Sequence, residues 1–431
     1  MTTVDLDASV PHAEVIHRWK NAPIKAADGS LRWDWPKITS EVQAGITKAL
    51  TRGPVVSIGV EGWANDYGLI DKHGDLVALP YSYRDQRTRD WAALADRLGA
   101  DRIHAITGIQ LISFNTLFQL GLHDRQELER ANRILLLPDL MVHQLSGFEG
   151  AERSNASTTA MLGVQDGQWS SELADAIGLP KGVLPDIVAA PRQAGSWQGI
   201  PVTTVGSHDT ASAFLGMPGH PGNDTVCVSS GTWVIVGVER ETADLSERAR
   251  HAGFSNERGA LGGFRFLKNL TGFWMLEQCR IAWGNPPLDV LLHEAEDTTG
   301  PVPLVDAADH RFISPASMVE EIVAAAGFGR PPSRGEVVRC ILESIVHGIV
   351  AVIDELSALT GTEMRRVFVA GGASRAGLFN QLIARETGLP VVVGSSEATA
   401  LGNALAQGLG VGYFSRLEEG RQWLGTTGKA I

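Results

Sequence analysis

A histidine, an aspartate and a threonine stand together at the end of an apolar segment, in the stretch VGSHDTASAF at 205–214. The residues before them, 202–205, predict a short strand, and residues 211–214 predict the start of a helix. An aspartate at such a junction has two interpretations. It can cap the helix by accepting hydrogen bonds from the first-turn amides, as Ser207 also could. It can instead act as a general base, provided that a substrate binds there.

Two further loops place hydroxyl side chains beside glycine. One is Ser-Ser-Gly-Thr at 229–232, between two apolar segments, and the other is Gly-Gly-Ala-Ser at 371–374, after the segment RVFVA. Glycine lets the backbone approach a phosphate closely, and neighbouring amides and hydroxyls can bind its oxygens. Tight turns favour the same residue types. A phosphate-binding loop and a plain turn therefore both remain open for each.

Another polar cluster surrounds a tryptophan. The segment GVEGWANDYG at 59–68 sets Glu61, Asn65 and Asp66 around Trp63. This is either a strand, a turn and a strand with a buried tryptophan, or a sugar site in which an aromatic face packs on carbon and polar groups bind hydroxyls.

Several common motifs are missing from the sequence. There is no phosphate-binding loop of the Walker type and no Gly-x-Ser-x-Gly segment. The GLGVG at 408–412 follows a predicted helix rather than a strand, which argues against a dinucleotide fingerprint. No cluster of His, Cys and carboxylates has the spacing of a metal site, so we predict no metal ligands among the side chains.

Length and composition limit the classes of protein to which the chain can belong. With 431 residues, two domains are expected. A net charge of −12 without a basic run argues against a nucleic-acid binder. The three cysteines, Cys227, Cys279 and Cys340, are far apart and are predicted to be reduced, buried thiols. No apolar stretch resembles a signal peptide or a membrane span, so a cytoplasmic location and no membrane partner are expected.

The pattern of elements predicts an α/β fold. The second half contains a capping box at Ser333 and Glu336, a long helical stripe up to Gly361, and then strand, glycine loop, helix, strand and helix. Glycine and proline are concentrated at 216–222, where we place the domain boundary. Two α/β halves with a cleft between them are a frequent arrangement for enzymes that close on ligands.

Taken together, these segments resemble the FGGY family of sugar kinases, and within it the rhamnulokinase branch. The similarity runs from about residue 17 to 412. It is carried, in this order, by SIGVEGWANDYGLID, YRDQRT, TGIQLISFNTLFQL, LLLPDLMVHQLSG, SNASTT, VGSHDTASA, SSGTW, FLKNLTGFW, VAGGAS and EATALGN.

The resemblance implies two ribonuclease-H-like (actin-like ATPase) domains with an interdomain cleft. Residues 1–216 would be the sugar-binding domain and residues 217–431 the nucleotide-binding domain. It also implies transfer of a phosphoryl group from ATP, with Mg²⁺, to the 1-hydroxyl of a ketose such as L-rhamnulose in deoxysugar catabolism. The protein would be a monomer or a homodimer.

The resemblance also implies roles for single residues. Asp209 matches the catalytic base. The other sugar positions are Ala64, His208, Thr210 and Asn269. The nucleotide positions are Thr232, Glu277, Gly371 and Gly372, where Glu277 replaces a common glutamine.

The amino terminus departs from the family pattern, which is a strand, a glycine- and serine-rich loop for the ATP phosphates, and a returning strand. Here Asp5 lies in a similar place, Asp7 stands where glycine is expected, and the loop is shorter. In a second alignment, residues 4–19 are only the returning strand. Glu61 and Gly62 also replace the family's usual Asp-Thr or Asp-Ser. The alternative function is therefore a catalytically impaired sugar-binding relative that has lost the phosphate loop.

Overall fold

The structure of the protein is a computed structural model that describes residues 1–218, 222–313, 315–425 and 429–430. Three residues of the expected boundary segment, 219–221, lie outside this description. The chain divides into two compact units. The first comprises 1–219, 240–266 and 399–426, and the second comprises 220–239, 267–398 and 427–431.

The described strands are short, with at most eight residues each. They are β1 Thr2–Val4, β2 Ala13–Val15, β3 Ile24–Lys25, β4 Leu31–Arg32, β5 Ile58–Gly59, β6 Tyr67–Ile70, β7 Arg133–Leu136, β8 Gly150–Glu152, β9 Asp186–Val188, β10 Arg192–Trp197, β11 Ile200–Thr204, β12 Thr225–Ser230, β13 Trp233–Arg240, β14 Ser255–Arg258, β15 Phe264–Thr271, β16 Arg366–Ala370, β17 Val391–Val393 and β18 Lys429–Ala430.

Helices stand between groups of these strands along the chain. They are α1 Trp35–Leu50, α2 Trp91–Leu98, α3 Ala100–Thr107, α4 Thr116–Gly121, α5 Arg125–Arg130, α6 Leu137–Ser146, α7 Arg153–Ala156, α8 Ser171–Ala176, α9 Asp209–Leu215, α10 Glu247–His251, α11 Trp274–Ala282, α12 Leu288–Glu296, α13 Met318–Ala326, α14 Arg334–Thr360, α15 Gly377–Thr387, α16 Ala398–Gly410 and α17 Leu417–Leu424. None of the helices in the described part of the chain is long and apolar enough to cross a membrane.

In the first unit, a three-stranded sheet has the order β10-β11-β5. β5 and β11 run parallel, with Val202 opposite Ile58. Because the carboxyl ends of parallel strands lie at the same edge of a sheet, the loops that follow them meet there. A parallel bridge between Gly62 and His208 continues this pairing beyond the strands. The two polar loops of the sequence analysis, around Glu61 and Asp209, are thus brought side by side.

Helix α1 of the first unit carries an apolar stripe that faces the core. Asp34 caps it by accepting a hydrogen bond from the amide of Lys37. Ile38 and Ile46 are buried and pack in an apolar cluster with β5 and α6 residues such as Ile58 and Leu140. Leu50, the last residue of the helix, is 39% exposed.

Most strands of the second unit belong to a seven-stranded sheet of the order β14-β15-β13-β12-β16-β17-β18. β12 and β13 form the predicted antiparallel hairpin, and β16 is parallel to both β12 and β17. Parallel strands with helices between them are the expected α/β layering. Helix α14 covers 27 residues and begins with the predicted capping box of Ser333 and Glu336, and Gly361 ends it in the left-handed conformation. Cys227, Cys279 and Cys340 are buried free thiols, as predicted.

Candidate active site

Asp209 is the first residue of α9, and His208 occupies the N-cap position without a side-chain cap. The capping interpretation is therefore wrong, because the helix begins two residues earlier than the pattern of small residues indicates. The amide of Asp209 donates to the carbonyl of Gly62 (2.9 Å), and the amide of Gly62 donates to the carbonyl of Ser207 (3.0 Å). Backbone pairing with the neighbouring loop thus holds Asp209 in place, and its side chain is 46% exposed and accessible to a ligand.

The residues on both sides of Asp209 are directed at its carboxylate. The Thr210 hydroxyl donates to Asp209 Oδ1 at 3.1 Å. Nε2 of His208 lies 3.5 Å from the same oxygen. His208 is itself buried, so its ring has a fixed position beside the half-exposed carboxylate. Three predicted sugar-site residues are thus brought together at one point.

A buried ion pair contacts Nδ1 of His208, the ring nitrogen that does not face Asp209. Nδ1 of His208 lies 3.2 Å from Nη2 of Arg265 and 3.3 Å from Oε2 of Glu257. Arg265 and Glu257 are 2.9 Å apart on the neighbouring strands β15 and β14, and the Arg265 side chain is fully buried. Burial alone would raise the pKa of Glu257, but the charge of Arg265 and the contact with His208 hold it below its usual value.

This ion pair was not predicted from the sequence. Its signal is the segment FRFL, in which Arg265 stands between two phenylalanines of an apolar strand. An arginine in such a setting is almost never buried without a partner. That rule predicts a buried carboxylate but does not say which one, because β14 and β15 must first be placed side by side.

A second buried group, Glu152, holds the backbone that leads to Asp209. Its Oε2 accepts hydrogen bonds from both the amide and the hydroxyl of Ser207, each at 3.0 Å. Its Oε1 caps α7 through the amide of Ser154 (3.0 Å). The amide of Glu152 in turn donates to Oδ1 of buried Asp139 (3.2 Å). Burial and the nearby charge of Glu152 raise the pKa of Asp139 well above its ordinary value.

The loop around Trp63 is held by Asp66 rather than left open. The carboxylate of Asp66, which is fully buried, accepts from Nε1 of Trp33 (2.7 Å) and from Nε1 of Trp63 (3.0 Å). The two indole rings pack at 4.6 Å between centroids. Asp66 is therefore occupied by structural hydrogen bonds. Ala64, the predicted sugar-site residue of this loop, is half-buried and accepts from the amide of Asp66 through its carbonyl.

In the second unit, the two glycine loops lie against each other. Gly371 has a φ of +90°, and a Cβ at this position would lie 2.5 Å from the carbonyl oxygen of Ser230. The Ser230 hydroxyl donates to the carbonyl of Ala370 (2.6 Å), which ties the β12–β13 turn to the end of β16. Gly372 faces open space, with no heavy atom within 4 Å of a Cβ built on it. Only glycine fits at 371, and the open backbone at 372 can be approached by a phosphate or a nucleoside.

The start of α11 is attached to the same turn. The amide of Phe273 donates to the carbonyl of Gly231 (3.2 Å), and the amide of Trp274 donates to the carbonyl of Thr232 (3.1 Å). Thr232 is exposed at the tip of the hairpin. Three predicted nucleotide residues, Thr232, Gly371 and Gly372, are thus placed in adjoining loops. The fourth, Glu277, lies one turn into α11, where Arg280 binds both of its oxygens at 2.8 Å.

The polar pair in FLKNLTGFW divides into two different environments. Lys268 forms an ion pair with Glu355 of α14 (2.9 Å), which explains a lysine within this apolar strand. Asn269, a predicted sugar residue, is half-buried on β15 within the second unit.

The amino-terminal residues form a hairpin. Strand β1 pairs antiparallel with β2, with Thr3 opposite Glu14. The segment that connects them is held by Tyr413, whose hydroxyl oxygen lies 2.8 Å from Oδ1 of Asp7 and 3.0 Å from the carbonyl oxygen of Leu6. The chain therefore has a strand, a short connection and a returning strand, as in the first of the two alignments.

Comparison with known proteins identifies the family. Residues 11–216 match the model of the N-terminal domain of the FGGY family of carbohydrate kinases, and residues 226–411 match the model of its C-terminal domain. The chain belongs to the FGGY family of carbohydrate kinases. It is thus a sugar kinase, with the α/β fold of the actin-like ATPases.

Individual members of the FGGY family align over most of their length. A rhamnulokinase of Pectobacterium atrosepticum is 36% identical over 422 residues, which cover 95% of this chain and 85% of that protein. A rhamnulokinase of Bacteroides thetaiotaomicron is 34% identical, with coverage of 95% and 88%. Among solved structures, Plasmodium falciparum glycerol kinase with ADP has a TM-score of 0.77 at 16% identity and covers 97% of this chain and 89% of its own. That last likeness concerns the fold alone.

Proposed function

We propose that this sugar kinase transfers the γ-phosphoryl group of ATP to the 1-hydroxyl of a ketose of the L-rhamnulose type, with Asp209 as the general base. The observation that carries the proposal is the state of the Asp209 carboxylate. It caps no helix, is half-exposed, and has His208 and Thr210 directed at it. The relatives at 34–36% identity are named rhamnulokinases, which supports this substrate class.

In phosphoryl transfer the protein forms no covalent bond to the substrates; it positions them and stabilises charge. As the sugar oxygen forms its bond to the γ-phosphorus, the hydroxyl proton passes to the Asp209 carboxylate, and the bond from the γ-phosphorus to the bridging oxygen breaks to release ADP. Asp209 must stay ionised and fixed for this step. The backbone pairing with Gly62 and the contacts of His208 and Thr210 provide the fixed position.

The remaining residues have proposed binding roles. Ala64, His208, Thr210 and Asn269 are assigned to the sugar, and Thr232, Glu277, Gly371 and Gly372 to the nucleotide. The cradle formed by Gly371 and the open backbone of Gly372 fit a phosphate or nucleoside. Mg²⁺ is expected to arrive bound to the ATP phosphates, where it neutralises charge. We also carry over the division into a sugar-binding domain, 1–216, and a nucleotide-binding domain, 217–431.

The sugar-binding relative without transfer activity is the less favoured alternative. This alternative is based on the altered amino terminus, which was expected to lack the phosphate loop. In the structure, β1 and β2 form a connected hairpin in this segment. The contacts of His208 and Thr210 with the Asp209 carboxylate also support the active kinase over this alternative.

The test is ADP release from Mg-ATP with a panel of ketoses that includes L-rhamnulose and L-fuculose, followed by NMR of the product. We expect release that depends on one ketose, and phosphorus coupling to the protons on carbon 1. Coupling at another carbon would overturn the assigned hydroxyl. Ketose binding without any release would instead support the silent relative.

A further inference from the structure

Asn65, in the loop that follows Trp63, has a backbone conformation that residues other than glycine rarely adopt. Its φ is +70°, in the left-handed region. Asparagine visits this region because its short side chain can hydrogen-bond locally. At Asn65 this compensation is missing, since within the described part of the chain no group donates to its buried Oδ1. Two unfavourable features thus coincide at one residue, and a buried polar atom of this kind calls for a functional explanation.

Contacts with helix α4 keep Asn65 in this conformation. The Thr116 hydroxyl donates to the carbonyl of Asn65 at 2.8 Å. Nε2 of Gln119, one turn further along α4, lies 3.2 Å from the same carbonyl oxygen and 3.2 Å from Oδ1 of Asp66. Because Thr116, Gln119 and Asp66 are all buried, the loop cannot relax without leaving buried polar groups unpaired.

Arg87, from the segment YRDQRT, fixes the side chain of Gln119. Nη2 of Arg87 donates to Oε1 of Gln119, which directs the amide NH₂ of Gln119 towards Asn65 and Asp66. The Arg87 guanidinium also lies over the ring of Tyr81, 4.0 Å from its centroid. A buried polar network therefore maintains the strained residue, and strain that the surroundings maintain is concentrated at ligand-binding sites.

Asn65 is also close to the proposed base. Gly62, three residues before it, exchanges backbone hydrogen bonds with Ser207 and Asp209. Three residues of extended chain span at most about 11 Å. Ala64, the residue directly before Asn65, is among those assigned to the sugar. A ketose with its 1-hydroxyl at Asp209 extends over a comparable distance, so one of its other hydroxyls can meet the Asn65 amide.

We propose that Asn65 is a substrate-binding residue whose Oδ1 accepts a hydrogen bond from a hydroxyl of the ketose other than the 1-hydroxyl. The inference rests on the proposed function, because it takes a ketose as the substrate and Asp209 as the group that meets its 1-hydroxyl. A sugar hydroxyl supplies the donor for Oδ1, whereas a methyl or carbonyl group at the same point leaves this oxygen unsatisfied. Asn65 thereby selects for a ketose that carries a hydroxyl at that carbon.

The test is calorimetric titration of the ketose into the wild-type protein and into Asn65→Gly. Glycine adopts a φ of +70° without strain, so this variant removes the amide and keeps the loop conformation favourable. We expect the Kd for the ketose to rise about tenfold, as for the loss of one hydrogen bond at a buried site, and the KM for ATP to stay unchanged. The midpoint of urea unfolding should not fall, whereas a purely structural role of the amide would lower it. Unchanged ketose binding in Asn65→Gly would overturn the proposal.

Ketose analogues that each lack one hydroxyl distinguish a direct contact from a general change in the loop. The wild-type protein should bind at least one of these analogues about tenfold more weakly than the parent ketose. Asn65→Gly should bind that analogue and the parent ketose equally well, because the group that distinguishes them is gone. An equal loss of affinity for the parent and for every analogue would contradict a contact with one hydroxyl.

Gln198→Gly is the matched control. Gln198 also has a left-handed φ, +48°, but it is exposed in the turn between β10 and β11. Its replacement by glycine should leave the Kd for every ketose unchanged, and a loss equal to that of Asn65→Gly would overturn the proposal. If the wild-type protein binds no ketose of the panel, the proposed function fails. If it binds one and Asn65→Gly binds it equally well, only the role of Asn65 fails, so the two failures are distinguishable.

Discussion

The surroundings of Asp209 and the glycine loops of the second unit are built in different ways. Around Asp209, buried charged side chains hold one another in place, as in the contacts of His208 with Arg265 and Glu257. Around Gly371 and Gly372, the backbone itself forms the surface. A base needs a fixed charge, which side-chain networks supply, whereas a phosphate can be bound by amides that any sequence with the right glycines provides. Substitutions should therefore affect stability and turnover in the first region, and nucleotide affinity in the second.

The largest effect on stability is expected from Glu257→Ala. It leaves the fully buried Arg265 without its carboxylate, and an uncompensated buried charge costs about 3–5 kcal/mol of unfolding free energy. Urea denaturation measures this loss.

The exposed pair of Glu14 and Arg52 is the control for that experiment, because both side chains are about half exposed. Glu14→Ala should cost less than about 1 kcal/mol. Equal losses in the two variants would show that the buried pair does not support the first region in the way described.

A smaller effect, confined to the nucleotide, is expected from Gly371→Ala. The new Cβ would meet the Ser230 carbonyl, and alanine at a φ of +90° adds about 1–2 kcal/mol of strain. The loop should shift, and the KM for ATP should rise about tenfold while the KM for the sugar stays unchanged.

Gly372→Ala is the matched control within the same loop. A Cβ there meets nothing within 4 Å, so the fold should tolerate it and the change in the KM for ATP should be smaller than in Gly371→Ala. A rise in the KM for the sugar in either variant would contradict the prediction that the glycine loops affect the nucleotide alone.

Local features of this structure could be predicted from the sequence, and distant pairings could not. The capping box of Ser333 and Glu336 involves residues three apart, so one helical turn decides it. The β12–β13 hairpin is also local, because the short turn between its two strands decides it. Glu152, by contrast, meets Ser207 from 55 positions away, and Glu61 meets Asn403 from 342 positions away. Such contacts depend on register and packing, which no short pattern contains.

The candidate active site could likewise be predicted from the sequence only where it depends on local features. The junction that holds His208, Asp209 and Thr210 could be located from the end of an apolar strand. The interpretation of Asp209 as a helix cap is wrong, because the helix begins at Asp209 itself. The exact start of a helix is the part that a sequence pattern predicts least well. The carboxylates that support the site, Glu152 and Glu257, carry no motif of their own. Only their burial beside the junction reveals them.

The most direct test of the central claim is single-turnover phosphoryl transfer by Asp209→Asn, with the binding of ketose and ATP measured separately. The amide keeps the size of the side chain but cannot accept the sugar proton. We predict that the variant binds both substrates within a few-fold of wild type and transfers the phosphoryl group about 10²–10⁴ times more slowly. Transfer at the wild-type rate, with binding intact, would contradict the assignment of Asp209 as the base.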